Sequence, residues 1–361
     1  MKIRNILMIL SFGVLLTAVA TLIFFNETKG VESEQRSASS KPMISEKIIV
    51  PETKKIVEEE PVQTRVRFYG DLMIDRSVAV KMGSRGLDYI FEKVSSTKDF
   101  FGGTDILVAN LEGPFAEKRI STSKSIAFRF DPKFAVELKK YGFTAFNLAN
   151  NHSYDMGSKN VVFTRDLLTK NNLGWFGDEL NEGQAYTFQT TTTAGIKIAF
   201  LGLHNTYHKL DLKKVSEALA AAKSSADYVI VNVHWGEEYW TNSNAKQQNL
   251  AHWLIDNGAD AIIGHHPHVI QEIEIYKDRP IFYSLGNLFF DQYFSVPTQN
   301  GLGVTLVLSE GKIKQAEVVP FVGVNSQLNP MSDQEKNKLE DWLNKNSRLG
   351  ERKIVDWKII F

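Results

Sequence analysis

From Arg65 onward the chain repeats one pattern, a short unbroken apolar run that ends in a cluster of polar residues. The runs read RVRFYGD, DILVANLEG, TAFNLANNH, IKIAFLGLH, DYVIVNVHWG, DAIIGHHPH and PIFYSLGN. Each has strand length and strand composition. Several are too continuously apolar for a sheet with one face in water, so they are predicted to be central strands covered on both faces. Between them apolar residues recur at helical spacing. DPKFAVELKKYG is predicted to be a helix with Asp131 as N-cap, Pro132 at the first helical position and Gly142 as its stop. SKNVVFTRDLLTKNNLG, LKKVSEALAAAKSSA and NAKQQNLAHWLIDNG follow the same rule. This alternation predicts a layered α/β fold. Near the C-terminus GVTLVLSEGKIKQAEVVPF alternates about Glu310-Gly311, the pattern of a hairpin. A last helix, from Ser332 to about Asn344, opens on a capping box of Ser332 and Glu335.

Residues 1–25 break the pattern. Lys2 and Arg4 precede an uncharged run from Ile6 to Phe25. About 20 apolar residues rising about 1.5 Å each reach across a ~30 Å hydrocarbon core. Ala18-Val19-Ala20 has the form of a cleavage site, but TLIFF prolongs the run beyond it. An uncleaved transmembrane signal anchor is therefore expected, with the basic tail in the cytoplasm and the remainder outside the cell. Residues 26–64, rich in Ser, Glu and Lys, read as an extracellular linker. Residues 65–325 are expected to form the main domain and 326–361 a C-terminal helix and extension.

Composition narrows the chemistry. The 42 basic and 42 acidic residues cancel, so no bulk field favours nucleic acid. The sequence has no cysteine, which removes disulfides, thiolate zinc sites and cysteine nucleophiles. His, Asp, Glu and Asn remain as strong ligands, and that set suits a hard or borderline divalent ion such as Mn, Fe, Zn or Mg.

Those ligand types fall at the strand ends, where open α/β sheets build their sites. They are Asp71 in YGDLMIDR, Asn110 and Glu112 in ANLEG, Asn150, Asn151, His152 and Asp155 in ANNHSYD, His234 in VNVHWGEEY, and His265, His266 and His268 in GHHPHV. Residues two apart in an extended chain face one side, so His266 and His268, stiffened by Pro267, are expected to form a rigid extended arm aimed at one point. His265 reads as a packing or supporting residue and His252 as packed within its helix. His204 and His208 are left out of the metal set. Asn287 and Asp291 are explained by a Gly-Asn turn. Trp235, Tyr239, Trp240, Phe289, Phe290 and Tyr293 are assigned to the core by default.

The order of these clusters resembles that of the calcineurin-like metallophosphoesterases. More narrowly, GDLM, NLEGP, LANNHSYDMG, VHWGEEY, GADAIIGHHPHV and FYSLGNLFFDQ resemble the bacterial CapA/PgsA family of poly-γ-glutamate capsule synthesis proteins, from about Arg65 to Phe321. The resemblance implies a metallophosphoesterase-like four-layer α-β-β-α sandwich. It implies Asp71, Glu112, Asn151, His234, His266 and His268 as ligands of one or two divalent ions, His152 as a general acid beside the reacting group, and Asp155 as the residue that orients it. It also implies partnership with a membrane poly-γ-glutamate synthetase complex and with the polymer. The chain departs from the superfamily in its first motif. Met73 stands where D-x-H has a histidine, so one metal is expected to be weak or absent. Glu112 is preferred over the neutral Asn110 as the bridging residue, and Asp75 or Arg76 is a candidate for a supplementary group. The expected function is a membrane-anchored extracellular component of polymer synthesis or export. The alternative is an active metal-dependent hydrolase of a phosphoester or of γ-linked polyglutamate.

Overall fold

A computed structural model of the chain describes residues 61–177, 186–207 and 209–361. The expected anchor, most of the expected linker and His208 lie outside the described residues. Among the described residues no helix is long and apolar enough to cross a membrane.

Four parallel strands begin the first sheet: β1 (Thr64–Leu72), β2 (Ile106–Leu111), β3 (Ala145–Asn147) and β4 (Gly174–Phe176). The chain then builds a second sheet from β5 (Phe188–Thr193), β6 (Ile196–Asn205), β7 (Tyr228–Trp235), β8 (Ala261–His265), β9 (Ile273–Tyr276) and β10 (Arg279–Phe282). It returns to the first sheet with β11 (Asn287–Phe289), β12 (Asn300–Ser309), β13 (Lys312–Val324), β14 (Gln327–Pro330) and β15 (Lys358–Ile360). The first sheet runs β14-β13-β12-β1-β2-β3-β4, with β11 beside β1 and β15 beside β13, and the second runs β5-β6-β7-β8-β10-β9. β6, β7, β8 and β10 are parallel.

Three apolar cores separate the layers. Between the sheets, Val66, Phe68 and Val108 pack with Ile198, Phe200, Ile230 and Ile263. On the far face of the first sheet, Tyr69, Leu107 and Phe146 meet Val78, Phe91, Leu138 and Leu168 from its covering helices. On the far face of the second, Leu201, Val231 and Ile262 meet Leu219 and Leu254 of the helices Leu212–Ser225 and Ala245–Asp256. The order is helices, sheet, sheet, helices. It explains the unbroken apolar runs, because every residue of β2, β7 and β8 is buried and neither face meets water.

Two expectations shift in detail. The helix expected from Asp131 begins at Phe134. The Asp131 carboxylate accepts from the Lys133 N–H at 3.1 Å and its carbonyl from the Phe134 N–H at 3.1 Å, so a tight turn precedes the helix. The C-terminal hairpin forms with Glu310 at φ 51° and Gly311 at φ 70°, as a two-residue primed turn requires. The capping box at Ser332 starts a helix over Asp333–Asn346. The segment after residue 325 is built into the first sheet: β14 and β15 both pair with β13, and Leu343, Leu349, Ile354 and Ile359 enter the core between the sheets.

Candidate metal centre

The two sheets bring two polar rows together at the C-terminal ends of their parallel strands. On the first sheet the register places Asp71, Asn110 and Asn147 side by side across β1, β2 and β3. Asn147 Nδ2 donates to Asn110 Oδ1 at 3.0 Å, and Asn110 Nδ2 donates to Asp71 Oδ1 at 2.7 Å. On the second sheet His204, His234 and His265 are side by side across β6, β7 and β8. The His266 backbone N–H donates across the gap to Asp71 Oδ2 at 3.1 Å.

The arm bearing His266 and His268 differs from the expected extended geometry. β8 stops at His265, and His266 and His268 have φ of 96° and 57°. The two rings converge because the chain coils into the left-handed region, and the strand alternation invoked from sequence plays no part. Positive φ is costly for a non-glycine residue, and such strain concentrates at functional sites. Their ring centroids lie 5.9 Å apart, and that of His266 lies 4.8 Å from His234. Asn287, assigned from sequence to a turn, accepts from His268 Nδ1 at 2.9 Å. Asp71 Oδ2 lies 3.2 Å from the same nitrogen. These contacts leave His268 Nε2 facing Glu112 Oε1 at 3.7 Å.

Glu112 is the centre of the group. It is fully buried, and among the described residues neither carboxylate oxygen has a hydrogen-bond partner. Nε2 of His152 and Nε2 of His234 both lie 4.0 Å from its Oε1. Burial first, and the charge of Asp71 second, push its pKa well above the ordinary glutamate range. For Asp71, burial opposes ionisation, but the bond and charge of His268, with His265 and Asn110, hold its carboxyl below the usual value. Burial would lower His268, yet Glu112 and Asp71 raise it to about 9. Burial lowers His265 to about 4, His266 to about 3 and His234 well below the ordinary value. With no cation present, burial favours the protonated form of Glu112, while the two carboxylates favour the protonated form of His268. A divalent ion would replace those protons, which is how metal binding couples to ionisation.

The donor chemistry fits such an ion. Donor atoms of Asp71, Glu112 and His234 lie within 4.8 Å of one another, and so do those of Glu238, His266 and His268. His234 Nε2 also donates to Asn151 Oδ1 at 2.9 Å, which places Asn151 at the same point. All six expected ligands therefore meet. Nitrogen and oxygen donors without thiolate match Mn, Fe, Zn or Mg.

His152 and Asp155 stand beside them. His152 Nδ1 donates to Asp155 Oδ2 at 2.6 Å, so its Nε2 faces the Glu112 group. The Phe128 ring lies 4.2 Å from the imidazole, and the Phe128 N–H donates to Asp155 Oδ2 at 2.7 Å. Burial lowers the His152 pKa, against the pull of Asp155. Lys124, unmarked in the sequence, reaches Asp155 Oδ1 at 2.5 Å and the Asn151 carbonyl at 2.7 Å, fastening this turn.

Other candidates fall outside the donor groups. Asp75 accepts from the Arg129 N–H at 2.9 Å and pairs with Arg119. Arg76 Nε lies 3.1 Å from Asp291 Oδ2, with its guanidinium 5.7 Å from the Phe128 ring. Met73 is buried and its sulfur accepts from the Asp75 N–H at 3.1 Å. His252 Nε2 donates to Glu274 Oε1 at 2.9 Å, away from the site. His265, read from sequence as a packing or supporting residue, sets Nδ1 3.7 Å from Asp71 Oδ1 while its Nε2 donates to Asn232. Among the aromatic residues, Trp235, Phe289 and Phe290 are core, but Tyr239, Trp240 and Tyr293 are exposed, which corrects the default. Tyr239 is at the rim, its centroid 6.3 Å from that of His268. Asn147 and Glu238 were missed. Register with Asn110 was the only signal for the first, and the acidic pair after His234-Trp235-Gly236 for the second.

Comparison with known proteins identifies relatives of the chain. The family model for the bacterial capsule synthesis protein PGA_cap matches residues 65–292. The capsule biosynthesis protein CapA of Bacillus anthracis is 31% identical over 303 residues, 78% of this chain and 73% of that protein. The PGA biosynthesis protein CapA of Bacillus subtilis is 32% identical over 288 residues, 75% of this chain and 74% of that protein. A hypothetical protein from Thermus thermophilus, of solved structure, has the same fold, with a TM-score of 0.50 at 18% identity over 72% of this chain and 99% of that one. Since the family model takes in every residue of the polar rows and both CapA relatives match along most of the chain, the chain belongs to the bacterial capsule synthesis protein PGA_cap family.

Proposed function

We propose that this protein is a membrane-anchored, extracellular component of poly-γ-glutamate capsule synthesis or export, built on a metallophosphoesterase-like domain that holds one or two divalent cations. Family membership and the names of the CapA relatives support the capsule role. The basic residues Lys2 and Arg4 before the apolar run Ile6 to Phe25 support the anchor and its orientation. Its partners are then a membrane synthetase complex and the anionic polymer. The observation that carries the metal reading is Glu112, whose two buried oxygens have no hydrogen-bond partner among the described residues while nitrogens of His152, His234 and His268 surround it. A buried carboxylate without hydrogen bonds is costly, and a cation removes that cost. Asp71, Glu112, Asn151, His234, His266 and His268 would hold the ions. Bound ions would supply positive charge to grip γ-carboxylates or to polarise a bond.

The test is the metal content of the purified full-length chain, alongside Asp71→Asn and His266→Ala. One or two tightly held divalent ions are expected, and both variants should lose metal. A chain that takes up none, even when supplied with Mn or Zn, would overturn the metal reading. Deletion should also strip polymer from the cell surface. If site variants restore it fully, the site is dispensable to the capsule role.

One feature favours the second reading, a metal-dependent hydrolase of a phosphoester or of γ-linked polyglutamate. His152 is oriented by Asp155 with its Nε2 toward the cluster, where the ring can accept a proton and, once protonated, pass it to a leaving group. His152→Ala should then abolish turnover while the metal content stays intact. Absence of turnover on both substrate classes by the metal-loaded chain would dismiss it.

A further inference from the structure

We infer that Glu238 is a metal ligand, and that with His266 and His268 it forms a second cation site at the exposed edge of the cluster, separate from the buried set of Asp71, Glu112 and His234. This inference rests on the reading of the cluster as a metal centre and adds a residue to the six carried over from the family. The donor atoms of each trio lie within 4.8 Å of one another, and the trios share no residue. Ligand distances of about 2.0–2.2 Å to a divalent ion put donors on opposite sides of it at most about 4.4 Å apart. Each trio therefore spans the space of one ion after a small side-chain adjustment. Glu112 of the inner trio also borders the outer one, its Oε1 lying 4.0 Å from His234 Nε2 and 3.7 Å from His268 Nε2.

Three further observations point to an ion at the outer trio. His266 is buried, yet its Nδ1 has no hydrogen-bond partner among the described residues, which is unusual for a polar atom away from water. Its backbone is held at φ 96° before a proline, a conformation that persists only where the surroundings enforce it. Glu238 is exposed, but its loop is fixed against the two histidines. The Tyr239 N–H donates to the carbonyl of Pro267, the residue between them, at 2.8 Å. Gln271 Nε2 donates to the Trp240 carbonyl at 2.8 Å, and its side-chain oxygen accepts from Gln247 Nε2 at 2.9 Å. Gly236, at φ 86°, lets the loop turn where any Cβ would strike the Gln247 side chain. The carboxylate is thus delivered from the end of β7, while Met73 on the first sheet, its sulfur engaged with the Asp75 N–H, offers no hard donor. The two ions would differ in exchange. The inner one is enclosed by buried ligands and the outer one opens to solvent through Glu238.

The experiment uses the full-length chain, stripped with chelator, reloaded with Mn²⁺ and freed of excess ion, with Glu238→Gln and Asp71→Asn beside it. Bound manganese is counted by elemental analysis, and paramagnetic resonance reads coupling between neighbouring ions. Two ions with a coupled signal are expected in the wild type, and one ion with an uncoupled signal in Glu238→Gln. Glu238→Asp, one methylene shorter, should hold the outer ion more weakly without losing the inner one. If Glu238→Gln keeps the wild-type count and signal while Asp71→Asn loses metal, this inference fails and the metal centre stands. If the wild type binds no manganese, the metal centre itself fails and this site with it.

Discussion

Two glycines next to site residues let a neighbouring backbone segment approach closely. A Cβ on Gly70, just before Asp71, would lie 1.8 Å from the Gly286 carbonyl oxygen, and one on Gly264, just before His265, would lie 1.9 Å from that of Tyr283. Both obstacles are backbone, which cannot swing aside as a side chain can. Gly264→Ala should therefore cost about 3 kcal/mol, the upper part of the range for overpacking, seen as a lower urea midpoint, and metal content should fall with it. An unchanged midpoint would mean that β8 and the chain after β10 can move apart at no cost. At this scale the sequence was legible where residue type alone carries chemistry. Asp71, Glu112, His234, His266 and His268 could be named because carboxylates and imidazoles are scarce at buried strand ends. Asn147 and Lys124 could not, because asparagine and lysine are common everywhere and only their partners mark them.

At the scale of elements, the segment after residue 325 carries more weight than an appended helix would. Leu343, Leu349, Ile354 and Ile359 are buried between the sheets, and β14 and β15 close the edge at β13. Leu343→Ala is expected to destabilise by about 2–4 kcal/mol, the usual cost of a core leucine truncation, and a chain ending at residue 325 should fail to fold. A cooperative, native-like unfolding transition from that truncated chain would contradict the assignment. Ser332→Ala, which removes one half of a capping box, should cost only about 1 kcal/mol, read as a small shift in thermal midpoint. The helix and hairpin were legible because caps and turns are local. Membership of the first sheet was not, since β15 pairs with residues more than forty positions earlier.

Across the whole molecule, a half-buried ionic network joins the C-terminal segment to the second sheet. Arg348 Nη2 lies 2.8 Å from Glu274 Oε2, which also accepts from the Tyr283 hydroxyl at 2.8 Å, while His252 donates to Oε1. Burial opposes ionisation of Glu274, but the bonds from Arg348, Tyr283 and His252 together hold its pKa below the ordinary value. A folded-state pKa below the unfolded one gives stability that is complete above about pH 4.3 and lost as pH falls through the lower value. Glu274→Gln should thus be less stable than wild type near pH 6, by about 1 kcal/mol once the exposure of Arg348 is discounted, and the gap should close below about pH 4. Parallel urea midpoints for the two proteins from pH 3 to 7 would rule this out. By itself, the sequence determined the layered α/β class, the central strands, the ligand types and the family, because hydrophobic period, chain-local caps and short motifs are properties of neighbouring residues. Only the tertiary structure decided that two sheets set their polar rows face to face, that positive φ aims His266 and His268 where a strand was expected, and that Glu238 arrives from the β7 loop. Those depend on register and on contacts between distant segments, where the free energy belongs to pairs of residues that no local pattern links.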